Sequence, residues 1–477
     1  MCKSPLTRRQ FLRTASMASM AGFYVSPFFL ELNSVAAMAQ ESSGSDYRAL
    51  VCVYLQGGND GHGTVIATDP DSYAAFTQAR SGAPGLAYPT GDLLPITLKT
   101  PQGGRTFALN PYLTGVQNLF NAGRAAIVAN TGTLVEPVTK AQINSQSAVL
   151  PDSLFSHFDQ TAAWQAISSN LGSGQHVGWG GSVADAVESM NMNSNSVFTC
   201  ISTAGNALFL AGQSSVQLNV TSAGPIPIYG LNQPPFGAPA ASNALGSILS
   251  TEESNLFAKE YEAVINRSIQ AQAMLQSAMA PAGEGGVANP PQYLDPVSNK
   301  LMDNPLASSL QTVARIISGR ASLGVTRQIF YVQLGSFDTH NDQAEVHSQL
   351  LTQLGAAFQY FDSLMVGMGL SDQVTAFTIS DFGRTLTCNS NGTDHGWGSH
   401  HFVLGGAVNG QDMYGQYPVV GVNQANDLGA GRLIPTTAVE QYAGSLASWF
   451  GLSNSQIREI FPNFVNFGSN PYLGFMG

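Results

Sequence analysis

Four continuous apolar segments along the chain predict the strands of a buried sheet. They are residues 48–55, 125–130, 329–334 and 373–379, which are rich in apolar and β-branched side chains. A strand buried on both faces is uninterruptedly apolar rather than alternating, as in parallel sheets covered by helices. The pattern therefore predicts an α/β fold with a central, mostly parallel sheet and helices on both faces. Apolar residues at helical spacing predict the helices near residues 112–122, 160–168, 251–279, 306–322, 346–367 and 437–450.

Three of these strands run directly into loops that combine glycine with acidic residues. Open α/β sheets place their sites at the carboxyl ends of strands, where such loops converge if the strands are neighbours. We therefore predict that the aspartates of these loops lie at one edge of one sheet. The residues concerned are Asp60 with His62 after the first strand, Asp338, His340 and Asp342 after the third, and Asp381 after the fourth.

Residues 380–402 concentrate histidine more than any other stretch, with three of the eight histidines of the chain. Among them, His395 lies between Asp394 and Gly396. Flanking glycine lets the backbone fold closely around a ligand, and Asp394 can orient the imidazole from behind. A solvated histidine in a Gly/Asn-rich surface loop is the alternative explanation.

Carboxylates and imidazoles mixed in this way suit one or two divalent ions that activate water or polarise an ester oxygen. Zinc, manganese, magnesium and calcium all remain possible at this level. The common signatures of other enzyme classes, GxSxG, the P-loop, HExxH and GxGxxG with its acidic partner, do not occur in the sequence.

Ser156 stands just before the helix predicted near residues 160–168. A serine at this position is commonly an N-cap whose hydroxyl accepts a backbone N–H. The same position also exposes the hydroxyl beside the positive end of the helix, where an anionic group is favoured. The sequence leaves both interpretations open.

The N-terminus has the features of a twin-arginine export signal. Arg8 and Arg9 precede a mostly apolar run at residues 15–30, and residues 37–39 offer a small-x-small cleavage site. We predict a signal peptide over residues 1–39, recognised by the twin-arginine export machinery, and a periplasmic or secreted product. Pro27 and Glu31 interrupt the apolar run, which is short for a membrane span of about 20 residues, although a retained anchor is an alternative.

The mature chain, residues 40–477, is predicted to be one α/β domain with a possible β-rich insertion at about 196–245. Removing the signal takes away four positive and one negative side chain, so the net charge changes from −11 to −14. An acidic chain without Lys/Arg clusters argues against nucleic acid as a partner, and no segment after residue 39 is apolar enough to be transmembrane. The remaining cysteines show no CxxC spacing, and the sequence leaves open whether Cys200 and Cys388 pair.

Several motifs together resemble the DUF1501 family over essentially the whole mature chain. They are the twin-arginine signal and residues 55–61, 156–159, 337–340, 380–385 and 392–398. That family is similar to the alkaline phosphatase and sulfatase superfamily. The resemblance implies an alkaline phosphatase-like α/β sandwich with a metal site at the sheet edge.

The resemblance also implies roles for individual residues. Asp60, Asp338, Asp381 and His395 match metal ligands by chain order, as does His340 or Asp342 beside Asp338. Ser156, or otherwise Ser153, falls where the superfamily has its nucleophile. Phe382 departs from the pattern, because the superfamily usually has histidine there, and this puts a full two-metal site in doubt.

The function expected from the resemblance is an exported metal-dependent hydrolase of phosphate or sulfate esters. Its substrate would be a small anionic ester, and Arg384 could pair with the anionic group. The alternative is a non-catalytic periplasmic binding or assembly protein that retains the fold.

Export should depend on the arginine pair. Changing Arg8 and Arg9 to lysine should hold the precursor in the cytoplasm, because lysine keeps the charge but loses the planar guanidinium. Cell fractionation measures this, and undiminished export of the double mutant would contradict the twin-arginine interpretation.

Overall fold

The first strand of the chain divides the hydrophobic core in two. In this computed structural model, Leu50 and Cys52 pack into one buried cluster, whereas Val51 and Val53 pack into another on the opposite side. Successive side chains of a strand point to opposite faces, so a wholly apolar strand can serve two cores at once. The structure describes residues 46–166, 177–226, 255–477 and the single residues 230, 238 and 244. The predicted signal peptide lies outside these residues.

The strands agree closely with the apolar segments of the sequence. They are β1 (Arg48–Leu55), β2 (Val65–Ala67), β3 (Leu94–Ile96), β4 (Phe107–Leu109), β5 (Ala125–Gly132), β6 (Cys200–Ser202), β7 (Gln217–Thr221), β8 (Gly224–Pro225), β9 (Tyr293–Leu294), β10 (Leu301–Met302), β11 (Arg327–Leu334), β12 (Val374–Ser380), β13 (Arg384–Asn389), β14 (Gly392–His395), β15 (Ser399–Leu404), β16 (Met413–Tyr414) and β17 (Thr437–Ala438).

The helices likewise occur where apolar residues recur at helical spacing, with a few short additions. They are α1 (Gly61–Thr64), α2 (Pro70–Ala79), α3 (Thr114–Asn121), α4 (Lys140–Asn144), α5 (His157–Ala166), α6 (Trp179–Ser189), α7 (Leu256–Ala278), α8 (Pro305–Ser318), α9 (Arg320–Leu323), α10 (Gln343–Gly367), α11 (Val439–Phe450) and α12 (Asn454–Ile460).

The central sheet runs in the order β16-β5-β15-β12-β1-β11-β6-β7-β8, with β17 also paired to β5. β1 is parallel to both β11 and β12, and β6 and β7 continue the parallel part, whereas β15 is antiparallel to its neighbours β12 and β5. Helices α3, α8 and α10 cover one face, and α6, α11 and α12 cover the other. The predicted α/β fold with a mostly parallel sheet and helices on both faces is confirmed.

Three details refine the predictions. Residues 65–110, which show no periodicity in sequence, contain helix α2 and a separate three-stranded sheet, β2-β4-β3. The short strands of the predicted β-rich insertion, β6 to β8, extend the central sheet, and most of residues 227–245 lie outside the described residues. Cys200 and Cys388 are both free thiols.

No helix in the described ranges is long and apolar enough to cross a membrane.

The fold buries four neutral imidazoles, and this sets an acid limit on stability. Burial lowers the pKa of His62 and His347 to about 4, that of His401 to about 3, and that of His400 well below its usual range. The unfolded chain therefore binds more protons than the folded chain between about pH 6.5 and pH 4. Because the unfolded chain binds more protons in this range, the free energy of unfolding falls as the pH falls.

Acidification from pH 6.5 to pH 4.5 should therefore destabilise the protein. Each of these histidines removes about 1.4 kcal/mol per pH unit. Glu440 acts in the opposite direction, because burial raises its pKa to about 7. Urea unfolding at a series of pH values, with chelator present, measures the slope, and Glu440→Gln should make the fall steeper. A stability that stays constant over this range would contradict the burial of the four imidazoles.

Candidate metal centre at the carboxyl edge of the sheet

The register of the sheet brings three loops to one place. Leu55 at the end of β1 is the partner of Leu334 at the end of β11 and of Ser380 at the end of β12. The loops that carry the three predicted aspartates therefore leave the sheet side by side. The prediction that Asp60, Asp338 and Asp381 lie at the same edge is confirmed.

Three imidazoles converge on the carboxylate of Asp338. Nε2 of His157 lies 3.4 Å from Oδ2, and Nε2 of His340 and of His395 lie 3.2 Å and 3.4 Å from Oδ1. The Nε2 atoms of His340 and His395 are themselves 2.9 Å apart. These four residues form what we call the Asp338 cluster. They come from the loop after β11, from the start of α5 and from the end of β14, so distant parts of the chain build it.

The other ring nitrogen of each histidine is held by an oxygen. Nδ1 of His157 lies 2.7 Å from Oδ2 of Asp381, and Nδ1 of His395 lies 2.7 Å from the carbonyl oxygen of Phe155. Nδ1 of His340 lies 3.3 Å from Oδ1 of Asp394. Carbonyl and carboxylate oxygens accept hydrogen bonds, so these partners assign the proton to Nδ1 and leave a lone pair on each Nε2.

This arrangement fits a divalent cation. The Nε2 atoms of His340 and His395 face each other at 2.9 Å, a spacing that either a proton on one ring or a cation bound by both lone pairs accommodates. Nε2 of His157 is buried and has no hydrogen-bond partner among the described residues. A tetrahedral ion bound at about 2.0–2.1 Å separates its ligand atoms by about 3.4 Å, and ligand atoms of His157, Asp338 and His395 all lie within 4.8 Å of one another. Oxygens behind each ligating imidazole are the usual support of such a centre.

Arg384 fixes the carboxylate at the middle of the cluster. Its two terminal nitrogens donate to Oδ1 of Asp338 at 3.0 Å and 3.1 Å, and its side chain is fully buried. Burial alone would raise the pKa of Asp338, but the adjacent guanidinium of Arg384 outweighs it, so the pKa is lowered. Asp338 is therefore an anion at neutral pH, and the terminal nitrogens of Arg384 are committed to it.

Burial also lowers the pKa of His395. The hydrogen bond to the Phe155 carbonyl raises this pKa, but the effect of burial is larger. His157 and Arg384 lower it further. The imidazole of His395 is thus neutral at physiological pH, which is the form that coordinates a metal.

Asp381 lies behind His157. Its Oδ2 holds Nδ1 of that histidine, and its Oδ1 accepts from the hydroxyl of Tyr54 at 2.6 Å and from the backbone N–H of Gly57 at 3.0 Å. Both oxygens are engaged by protein groups, so this geometry makes Asp381 a support for a ligand. Asp342, also predicted as a ligand, lies at the start of α10, where its Oδ1 accepts from Asn391 at 2.8 Å.

Asp60 lies at the same edge but in a separate ion pair. Arg80 donates to its two oxygens at 2.8 Å and 2.9 Å, Gln343 donates at 2.7 Å and the backbone of Gly63 at 3.1 Å. Burial would raise the pKa of Asp60, and Arg80 more than compensates, so it stays well below its usual range. With four donors, this carboxylate has little capacity left for an ion.

The two candidate nucleophiles lie just before α5. Oγ of Ser156 accepts from the backbone N–H of Asp159 at 3.4 Å, the contact of a helix-capping residue. Ser153 is exposed, and its carbonyl oxygen accepts from the backbone of Ser156. The hydrogen bonds of the described residues join neither hydroxyl to the Asp338 cluster.

Phe382 packs on two of the imidazoles. Its ring centroid lies 4.8 Å from that of His157 and 4.5 Å from that of His395. At the position where the superfamily would have another metal-binding histidine, this chain has an aromatic wall. The arrangement therefore suits one ion held by three imidazoles and a carboxylate.

His157 was not among the predicted metal ligands. It lies in the motif at 156–159 that carried the family resemblance, directly beside Ser156. That motif is the signal that could have found it, because nothing in the local sequence shows that this imidazole meets Asp338.

A cavity of about 840 Å³ adjoins the cluster. His157, Asp338 and Asp381 contribute to its wall, so the proposed ion site faces a space large enough for an organic molecule.

Comparisons with known proteins give a family and a weak structural likeness. None of the curated proteins searched matches the chain. The sulfatase PsFucS1 from Pseudoalteromonas sp. superposes with a TM-score of 0.32 at 10% identity, covering 89% of this chain and 72% of that one. The structure of Ps i-CgsB in complex with k-i-k-neocarrahexaose gives a TM-score of 0.33 at 9% identity, covering 90% and 78%.

The family model described as "Protein of unknown function (DUF1501)" matches residues 47–461, which include every strand of the central sheet and all four residues of the Asp338 cluster. The chain belongs to the DUF1501 family.

Proposed function

We propose that this protein is an exported, metal-dependent hydrolase of phosphate or sulfate esters, with one divalent ion held by His157, Asp338, His340 and His395. The observation that carries the proposal is the convergence of three Nε2 lone pairs on one carboxylate beside a large cavity. A catalytic ion needs a coordination position open to substrate, and the cavity beside the cluster offers that access.

The ligand atoms of the Asp338 cluster reduce the number of metal ions that remain possible from the sequence. Three imidazoles suit zinc and other transition ions such as manganese, whereas magnesium and calcium prefer oxygen ligands. We therefore propose zinc or manganese. Once bound, the ion would polarise an ester oxygen and lower the pKa of a water molecule in the site.

The residues of the chain supply position and charge. Asp381, Asp394 and the Phe155 carbonyl fix the orientation of the three imidazoles. Arg384 holds Asp338 in one orientation and brings positive charge close to where an anionic ester would bind. Ser156, next to His157, or else Ser153, remains our proposed nucleophile.

A non-catalytic binding or assembly protein is the second candidate. Four protein ligands are the number found in closed, structural zinc sites, and this observation favours a centre without turnover. The two functions differ in hydrolysis, because both predict a bound ion. Assays with 4-nitrophenyl sulfate and 4-nitrophenyl phosphate on metal-loaded protein therefore separate them.

Removal of His395 should empty the centre. His395→Ala is expected to reduce metal occupancy and any ester hydrolysis by at least about 10-fold, because one of three imidazoles and the contact to the Phe155 carbonyl are lost. Asp342→Asn is the matched control, since that carboxylate lies in a nearby loop but outside the cluster. Metal stoichiometry by elemental mass spectrometry decides the outcome, and an unchanged value in His395→Ala would place the site around another residue.

Neighbouring residues of α5 should show different defects. His157→Ala should lose the metal, whereas Ser156→Ala should keep it, because no hydrogen bond of the described residues joins the Ser156 hydroxyl to the cluster. If Ser156 is the nucleophile, its variant should also lose hydrolysis by at least about 100-fold while remaining loaded. A fully active Ser156→Ala would remove Ser156 from the mechanism, and a metal-loaded His157→Ala would contradict the proposed ligand set.

A further inference from the structure

The cavity beside the Asp338 cluster carries charge on one part of its wall only. His157, Asp338 and Asp381 are the ionisable groups of that part. Among the described residues that line the rest of the cavity, none is lysine or arginine, and none is a further acid. A second charged group on a ligand would find no partner there.

The rest of the wall is largely aromatic and aliphatic. The rings of Tyr54 and Tyr331 lie side by side with centroids 6.0 Å apart, and Ala162 and Leu208 contribute aliphatic surface. Phe158, with 84% of its surface exposed, also lines the cavity. The hydroxyl of Tyr54 is already hydrogen-bonded to Asp381 and Thr161, so this tyrosine presents mainly its ring.

The charges around the centre leave no surplus for a second anionic group. Asp338, Asp381 and Asp394 supply three negative charges. Arg384 and Arg432, whose Nε donates to the carbonyl oxygen of His395 at 3.1 Å, supply two positive charges. A divalent ion brings this sum to +1, which one singly charged anionic group balances. The nearby pair of Asp60 and Arg80 is neutral by itself.

We propose that this cavity binds the organic part of the substrate and that this part is an uncharged, ring-containing, largely apolar group. The reaction in this proposal is the one given under the proposed function, so that part rests on the proposed function. The selectivity for the organic group is inferred from the residues of the cavity wall alone. The substrate would be an ester with a single anionic group at the metal centre and an aryl or similar apolar ring in the cavity. Polyanionic chains are disfavoured by the lack of cationic side chains.

Two naphthalene sulfonates test the selectivity without requiring turnover. Calorimetric titration of zinc-loaded, full-length mature protein with naphthalene-2-sulfonate and with naphthalene-2,6-disulfonate compares one ring system with one and with two anionic groups. We expect the monosulfonate to bind at least about 10-fold more tightly, because the second sulfonate of the other ligand is desolvated in the cavity without a cationic partner. Equal or tighter binding of the disulfonate would overturn the proposal.

A substitution in the cavity wall tests whether the two ligands bind in this cavity. Ala162 lines the cavity from α5 and is half-buried, so Ala162→Lys adds a cation to the apolar wall, with Ala162→Met as an uncharged control of similar length. Ala162→Lys should raise the affinity for the disulfonate by at least about 10-fold relative to Ala162→Met. Metal content should be the same in both variants. If the lysine leaves the ratio of the two affinities unchanged, the ligands bind elsewhere and the proposal fails.

The outcomes separate this proposal from the proposed function. A protein that prefers the monosulfonate but hydrolyses no phosphate or sulfate ester would keep the binding preference and lose the hydrolase assignment. A protein that hydrolyses aryl and polyanionic esters with equal efficiency would keep the hydrolase assignment and lose the preference.

Discussion

The convergence of three imidazole lone pairs on the Asp338 carboxylate is the interaction on which the account of this protein depends. It can form only because β11 lies beside β1 and because β14 returns the chain to the same edge of the sheet. Arg384 keeps the carboxylate ionised and oriented from one side. A cluster of like lone pairs around an anion is unfavourable for an empty site, and a divalent cation removes that cost. The organisation of the fold at this edge therefore fits the divalent ion that we propose.

The buried pair of Asp60 and Arg80 stabilises the same edge in another way. Arg80 also donates to the backbone carbonyls of Leu386 and Thr385, so the pair ties the loop after β1 to β13. Gly57 allows this loop to approach Asp338 closely, because a Cβ at that position would lie 2.3 Å from the Asp338 backbone nitrogen and its φ of +114° disfavours other residues. Removing one member of such a pair would leave an uncompensated buried charge. Asp60 therefore supports the proposed metal centre indirectly, because its pair with Arg80 fixes the backbone of the loop after β1.

These two carboxylates also show how far the sequence could lead. Asp60 and Asp338 share one sequence pattern, an acid in a glycine-rich loop after a buried strand, and the apolar runs predicted both positions in the sheet. What separates their environments is the partner, and neither Arg80 for Asp60 nor His157 for Asp338 can be identified from local sequence. The short strands β2 to β4 were missed for a related reason, since three-residue strands carry too few residues to show a period. Contacts between residues far apart in the sequence decide these environments and strand pairings, and the local pattern of residues does not show such contacts.

The central claim is that one divalent ion is bound by His157, Asp338, His340 and His395. X-ray absorption at the metal edge of zinc-loaded protein tests it most directly, because imidazole rings give a characteristic multiple-scattering signal. The account predicts one zinc per chain with three imidazole nitrogens and at least one carboxylate oxygen at about 2.0–2.1 Å. A shell of oxygens with one imidazole or none would place the ion elsewhere along the sheet edge and would contradict the account.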